Sequence, residues 1–179
     1  MRLAARTAGD KPLPYPKRAM KPSTEQTSYP KRKHIRLPVD AYHKPGAWYF
    51  ITICCRNKEP RFQSAPLRDL VQEVLHQTAA AHYVEVAAYS ILPDHLHLIC
   101  SAGPQGVPGF MRAFKSKTAL EISRRIGESS PWQARFFDHK LRSDESLRQK
   151  CEYIWMNPVR RALVRRPEDY PWSGVVRSG

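Results

Sequence analysis

Two histidines and two residues of a later helix have the types and the spacing for metal-assisted chemistry. His95 and His97 are separated by one residue within the largely apolar run 90–100. On a β-strand both imidazoles would lie on the same face. Neutral imidazole nitrogens are common ligands of divalent cations. A His-x-His pair is equally compatible with packed or exposed side chains, so the pair by itself leaves both interpretations open.

Tyr153 and Asn157 are four residues apart, and on a helix they would share one face. A tyrosine oxygen can act as a covalent nucleophile, and an amide oxygen can bind a hard cation. If this helix packs over the histidines, the four side chains could act together on a phosphodiester. Read singly, Tyr153 also fits the surface of an amphipathic helix. Asn157 precedes Pro158, as an N-cap residue often does.

The charge of the chain indicates a polyanionic partner. Its 179 residues carry a formal net charge of +14, and nucleic acid is the first candidate for such a balance. Many of the basic side chains could equally form a solvated surface. The candidates for phosphate contact are Lys31, Arg32, Lys33, Arg36, Arg56, Arg112, Lys115, Lys117, Arg142, Arg160 and Arg161.

The sequence divides into three predicted parts. Residues 1–40 form a basic, proline-rich arm that we expect to be partly disordered, 41–166 form a domain, and 167–179 form an irregular tail. The four cysteines have no Cys-x-x-Cys spacing, so neither a zinc site nor a disulfide framework is indicated. A reduced, cytoplasmic protein is the default expectation. No stretch approaches the roughly 20 apolar residues of a membrane span.

Hydrophobic periodicity predicts an α+β domain with the order β-α-β-β-α-β-α, and a short last helix starting at Pro158. This order is typical of a ferredoxin-like (split β-α-β) fold, an antiparallel sheet with helices on one face and the first and third strands in the middle. The predicted strands cover 48–56, 83–92, 95–101 and 132–141, and the predicted longer helices cover 66–81, 110–126 and 144–156.

Several motifs together resemble a known family. Residues 93–99, Pro-Asp-His-Leu-His-Leu-Ile, resemble the His-hydrophobic-His (HUH) signature of the single-tyrosine transposases. Residues 132–138, 153–164 and 167–173 are similar to the branch named REP-associated tyrosine transposases, where REP denotes a repetitive extragenic palindrome. The resemblance spans about residues 31–174. It departs from the family at Arg161-Ala162, where Ala-Gly is frequent.

The resemblance implies a metal-dependent enzyme that binds single-stranded DNA with a palindromic, REP-like hairpin and cleaves and rejoins it, as a monomer or homodimer. It implies His95, His97 and Asn157 as ligands of Mg²⁺ or Mn²⁺, and Tyr153 as the nucleophile that leaves a 5′-phosphotyrosine and a free 3′-hydroxyl. Two alternatives stay open. One is a non-catalytic nucleic-acid-binding module on the same fold, and the other is a metal-dependent phosphoesterase that acts through activated water.

Overall fold

A five-stranded antiparallel sheet forms the centre of the computed structural model, which describes residues 39–44, 46–142 and 144–175. The order across the sheet is β4-β1-β3-β2-β5, which places β3 in the middle. This arrangement confirms the predicted ferredoxin-like α+β class. The strands are β1 (Trp48–Cys54), β2 (Val86–Leu92), β3 (His95–Ser101), β4 (Phe137–Lys140) and β5 (Ser173–Val175).

Within the described ranges, four α-helices accompany the sheet, together with short 3-10 segments. In the described part of the chain, none of the helices has the length and apolar character needed to cross a bilayer. The helices are α1 (Ala65–Ala81), α2 (Gly106–Ile126), α3 (Asp144–Trp155) and α4 (Asn157–Arg160).

Alternation along β3 gives each face of the sheet its own character. Leu96, Leu98 and Cys100 point to one face and are fully buried in the main core cluster, together with Phe110 and Phe114 of α2. Because successive strand residues point to opposite faces, His95, His97 and Ile99 point to the other one. The period-2 pattern of the sequence therefore separates a purely apolar face from a face that carries imidazoles.

Helix α3 lies on the histidine face, not with α1 and α2. Its Ile154 packs with Phe50 and Ile99 in a second, smaller cluster, and Leu147 and Cys151 pack at the margin. The prediction of helices on one face is therefore incomplete, since the last helices cover the opposite face. This packing brings the helix that carries Tyr153 over the strand that carries the histidines.

Residues 167–175 contain a strand of the sheet, where the sequence predicts an irregular tail. A short 3-10 segment, Pro167–Asp169, precedes β5, which pairs with β2. The Tyr170 hydroxyl donates to the carbonyl of Ile91, and Trp172 Nε1 donates to Asp69 Oδ1, each at 2.7 Å. A three-residue strand is too short to show a readable alternation, so only these non-local contacts define it.

Other boundaries also differ from prediction. Helix α2 begins at Gly106, four residues before the predicted start at residue 110. Pro108 is compatible with the first turn of the helix, because the N–H that it lacks would be unpaired there. Strand β4 keeps only four of its ten predicted residues, and Trp132 forms an isolated bridge with Cys55. Residues 1–38, with the predicted arm, lie outside the described residues, so the predicted division into arm and domain stays a prediction.

Candidate active site

His95 and His97 form a buried pair at the start of the central strand. Their side chains belong to residues that are only 7% and 8% exposed. The two Nε2 atoms are 3.1 Å apart, and the ring planes are nearly perpendicular, at 82°. The two facing ring nitrogens therefore lie within hydrogen-bonding distance of each other on one face of the strand, the face-sharing that the i, i+2 spacing predicts.

A different partner holds the second nitrogen of each ring. His95 Nδ1 is 2.6 Å from Asp94 Oδ1, and His97 Nδ1 is 2.8 Å from Thr52 Oγ1. Thr52 stands directly opposite His97 in the β1–β3 register. Such partners fix ring orientation and leave Nε2 to face the site. Sequence reasoning missed both residues: the position of Asp94 just before His95 could have indicated it, whereas Thr52 is identified only by the register.

Burial keeps His97 neutral, whereas a hydrogen bond and neighbouring charges keep Asp94 ionised. Burial, followed by electrostatic interactions with His95 and Arg161, lowers the pKa of His97 to about 3. Burial alone would raise the pKa of Asp94, but its hydrogen bond to His95 and the charges of His95 and Arg161 outweigh burial and lower it. A neutral imidazole is the form that binds a metal, so His97 is in the competent state across the physiological range.

Tyr153 lies beside this pair and is 40% exposed. Its ring centroid is 5.9 Å from that of His97 and 6.2 Å from that of Phe50, in edge-on contacts. Two cations flank the phenol: Arg160 Cζ is 4.4 Å from the ring centroid and Lys150 Nζ is 5.5 Å away. The nucleophile predicted from sequence is thus next to the histidines, accessible, and in a positive environment. Lys150 was missed because a lone helix lysine has no distinguishing signal.

Asn157 is buried, at 6% exposure, where α3 gives way to α4. The N-cap interpretation is wrong, because α4 begins at Asn157 itself and Met156 occupies the N-cap position. The backbone is nearly continuous through this point: Met156 N donates to the carbonyl of Glu152 at 2.9 Å, and Arg161 N donates to that of Asn157 at 3.0 Å. Tyr153 and Asn157 are therefore about one helical turn apart.

The paired Nε2 atoms fit a divalent cation. Two ligand atoms bound at right angles, each about 2.1 Å from one cation, would be about 3 Å apart, close to the observed spacing. In the described part of the chain, no three His, Cys, Asp or Glu side chains are grouped to hold a metal ion. A third protein ligand would therefore be of another type, and Asn157, whose side chain carries an amide oxygen, is the candidate that the sequence offers.

The predicted phosphate-contacting cations fall into separate regions. Arg160 and Arg161 are at the site, and the Arg161 guanidinium is 3.7 Å from the Asp94 carboxylate. Arg56, Arg112 and Arg142 are exposed away from these contacts. The four that lie outside the described residues are Lys31, Arg32, Lys33 and Arg36.

Two lysines of α2 are engaged within the protein on the opposite face of the sheet. Lys115 Nζ donates to the carbonyls of Gln133 and Ala134 at 2.7 and 2.8 Å, and burial lowers its pKa. Lys117 Nζ donates to Gln77 Oε1 at 2.7 Å. Lys115 is therefore held against the segment before β4, whereas Lys117 is exposed with one polar partner. Contact of either lysine with DNA stays a prediction.

Comparison with known proteins identifies the family. Residues 44–157 match the family model described as "Transposase IS200 like". The chain belongs to the IS200-like transposases. This transposase is 26% identical over 136 residues to the REP-associated tyrosine transposase of Escherichia coli K12, covering 76% of this chain and 80% of that protein. It is 38% identical over 93 residues to the ISDra2 transposase TnpA of Deinococcus radiodurans, covering 50% and 66%.

A solved structure agrees with both the fold and the family branch. The structure of a REP-associated tyrosine transposase bound to a REP hairpin matches this transposase with a TM-score of 0.62 and 25% identity. The match covers 74% of this chain and 78% of the other. The resemblance to REP-associated tyrosine transposases is confirmed, and the protein is a DNA-binding transposase.

Proposed function

We propose that this IS200-like transposase binds single-stranded DNA containing a palindromic, REP-like hairpin, and cleaves and rejoins it through a covalent bond to Tyr153, with a divalent metal ion. The observation that carries the proposal is the position of Tyr153, 5.9 Å between ring centroids from His97, on the face where the two Nε2 atoms converge. The hairpin is proposed from the relative that is bound to one, and from the charge of +14.

His95, His97 and Asn157 would hold Mg²⁺ or Mn²⁺. When bound, the ion would polarise the phosphodiester and stabilise the charge that develops on its oxygens. Asp94 and Thr52 keep the imidazole rings oriented through their Nδ1 atoms. Burial keeps His97 neutral and ready to act as a ligand.

Tyr153 Oη attacks the scissile phosphorus, and the bond between phosphorus and the 3′ oxygen breaks. The DNA 5′ end becomes a phosphotyrosine, and the departing strand leaves as a 3′-hydroxyl, which takes up a proton as the phenol loses one. Attack by a 3′-hydroxyl on the phosphotyrosine reverses the step and rejoins a strand. Arg160 and Lys150, which flank the ring, stabilise negative charge on the reacting oxygens.

The direct test is adduct formation with a labelled single-stranded palindrome and Mg²⁺ or Mn²⁺. Wild type should form a covalent protein–DNA adduct that withstands denaturation, and Tyr153→Phe should form none. Tyr83→Phe is the matched control, because Tyr83 is an exposed tyrosine at 81% that precedes β2, far from the histidines. An adduct that persists in Tyr153→Phe would exclude this tyrosine as the nucleophile.

The same adduct assay distinguishes the proposed function from the binding module and from the water-dependent phosphoesterase. A non-catalytic binding module would bind the palindrome equally with EDTA and in the double variant His95→Ala/His97→Ala, and would never form an adduct. A phosphoesterase using water would cleave without an adduct and keep its activity in Tyr153→Phe. We propose further that the protein acts in the cytoplasm, as a monomer or homodimer, which sedimentation of the complex would establish.

A further inference from the structure

The motif at residues 132–138 contains an exposed aromatic side chain with no part in the proposed chemistry. Phe137, the first residue of β4, is 59% exposed, whereas its neighbour Phe136 packs against the main core. Asp138 also points to the core side of the sheet, where the Tyr42 hydroxyl donates to its carboxylate at 2.6 Å. Alternation along the strand thus turns Phe137 to the opposite face.

The opposite face is the one that carries the candidate active site. Phe137 pairs with Thr52 in the β1–β4 register, and Thr52 pairs with His97 in the β1–β3 register. Directly opposed residues of antiparallel strands project to the same face. Phe137, Thr52 and His97 therefore form one row, and two strand spacings place the backbone of Phe137 about 10 Å from that of His97.

A second residue continues this surface. His139 is exposed, two residues further along β4, and pairs with Phe50. Side chains at i and i+2 of a strand are about 7 Å apart, which two adjacent nucleotides of an extended single strand can span. Exposed arginines, Arg135 and Arg142, lie just before and just after β4. The edge strand thus combines two aromatic rings with flanking positive charge, as single-strand binding surfaces do.

We infer that Phe137 is a stacking platform for an unpaired base next to the scissile phosphate, and that His139 receives the following base. The inference rests on the proposed function, because it requires single-stranded DNA at the site. Every base has a face that can stack, so Phe137 positions the strand and does not read its sequence. The scissile phosphate is thereby held in line with the row that ends at the histidines.

Binding in EDTA, where no cleavage occurs, tests the inference separately from the chemistry. The probe is a DNA hairpin with single-stranded extensions. Phe137→Ala should weaken binding about 5- to 150-fold, the range that corresponds to about 1–3 kcal/mol per stacked base. Phe137→Trp, which keeps a ring, should stay close to wild type. A blunt hairpin without extensions should bind equally well to wild type and Phe137→Ala.

Tyr83→Ala is the matched control, since it removes an exposed aromatic ring that precedes the distant end of β2. A scan of single abasic sites identifies the stacked base: its removal should weaken wild type but cause little further loss in Phe137→Ala. A 2-aminopurine at that position should be quenched by wild type and not by Phe137→Ala. Thermal unfolding should be unchanged, because the ring is exposed.

Two results would overturn the inference. One is undiminished binding of the extended hairpin by Phe137→Ala. The other is a wild-type dimer that Phe137→Ala dissociates in sedimentation, which would assign the ring to pairing between edge strands of two copies. Both are distinguishable from failure of the proposed function, which would appear as a wild-type protein that forms no Tyr153 adduct.

Discussion

The two faces of the sheet are both buried around β3 but differ in the side chains that β3 contributes to them. On the face covered by α1 and α2, β3 contributes Leu96, Leu98 and Cys100, and the buried hydroxyls of Thr78 and Thr118 donate to carbonyls in their own helices. On the face covered by α3, β3 contributes the buried His95 and His97, and the Ser173 hydroxyl donates to Ser90 on the neighbouring strand.

This difference shows that burial does not by itself mark a functional site. Leu98 is 0% exposed and His97 is 8% exposed, yet they are neighbours in the chain with opposite roles. The first fills a core, and the second is oriented by a partner from another strand, Thr52. Cross-strand partners position a side chain, whereas a bond within the same helix only satisfies its hydrogen-bonding capacity.

Loss of a histidine should give the largest effect and the sharpest contrast between the faces. His97→Ala should reduce adduct formation below detection, because the paired Nε2 atoms are lost, while the protein stays folded by circular dichroism. Mn²⁺ titration by calorimetry should show the loss of binding without DNA. His76→Ala, an exposed histidine on α1, should behave as wild type. Normal adduct formation by His97→Ala would contradict the site.

The neighbouring residue on the other face should affect stability instead. Leu98→Ala should reduce the free energy of unfolding by about 2–5 kcal/mol, because it leaves a cavity in a fully buried position. Urea denaturation measures this loss. At temperatures where the variant is folded, its affinity for Mn²⁺ should be that of wild type. A change in stability well under 1 kcal/mol would show that this face is not the tightly packed one.

Substitution of Asp94, which orients His95, should have an intermediate effect on metal affinity. Asp94→Asn keeps the size of the side chain but removes the charge that holds His95 Nδ1 at 2.6 Å, so we expect Mn²⁺ affinity about 10- to 100-fold weaker. Calorimetric titration measures it. Asp69→Asn is the control, because Asp69 accepts a hydrogen bond from Trp172 and does not contact the histidines. Equal affinity in Asp94→Asn and wild type would remove Asp94 from the site.

Removal of a cation on the histidine face should change the salt dependence of DNA binding by a small but measurable amount, and removal of one on the opposite face should not. Each phosphate contact to single-stranded DNA contributes a slope of about −0.7 to the dependence of log affinity on log salt concentration. Arg160→Ala should make the slope shallower by about that amount, because Arg160 is exposed beside Tyr153. Lys117→Ala should not, because Lys117 lies on α2, on the face of the sheet away from the histidines, where it donates to Gln77 of α1. Equal slopes for the two variants would mean that the faces do not differ in DNA contact.

The local features of this transposase could be read directly from the sequence. The His95–His97 spacing placed both imidazoles on one strand face, and the structure has them there because strand alternation is a property of neighbouring residues. The spacing of Tyr153 and Asn157 likewise predicted that the two residues are about one helical turn apart, on the same side of the helix. The order of strands and helices predicted the fold class, and the excess of positive charge predicted a polyanionic partner. Neither inference depends on contacts between residues far apart in the chain.

Only the tertiary structure decided which elements meet. The sequence does not specify that α3 packs on the histidine face, and this packing alone brings Tyr153 next to His97. Strand register identified Thr52 and turned Phe137 toward the site, and β5 exists through its pairing with β2. The physical reason is that register and helix packing are set by contacts between residues far apart in the chain, which no local periodicity encodes.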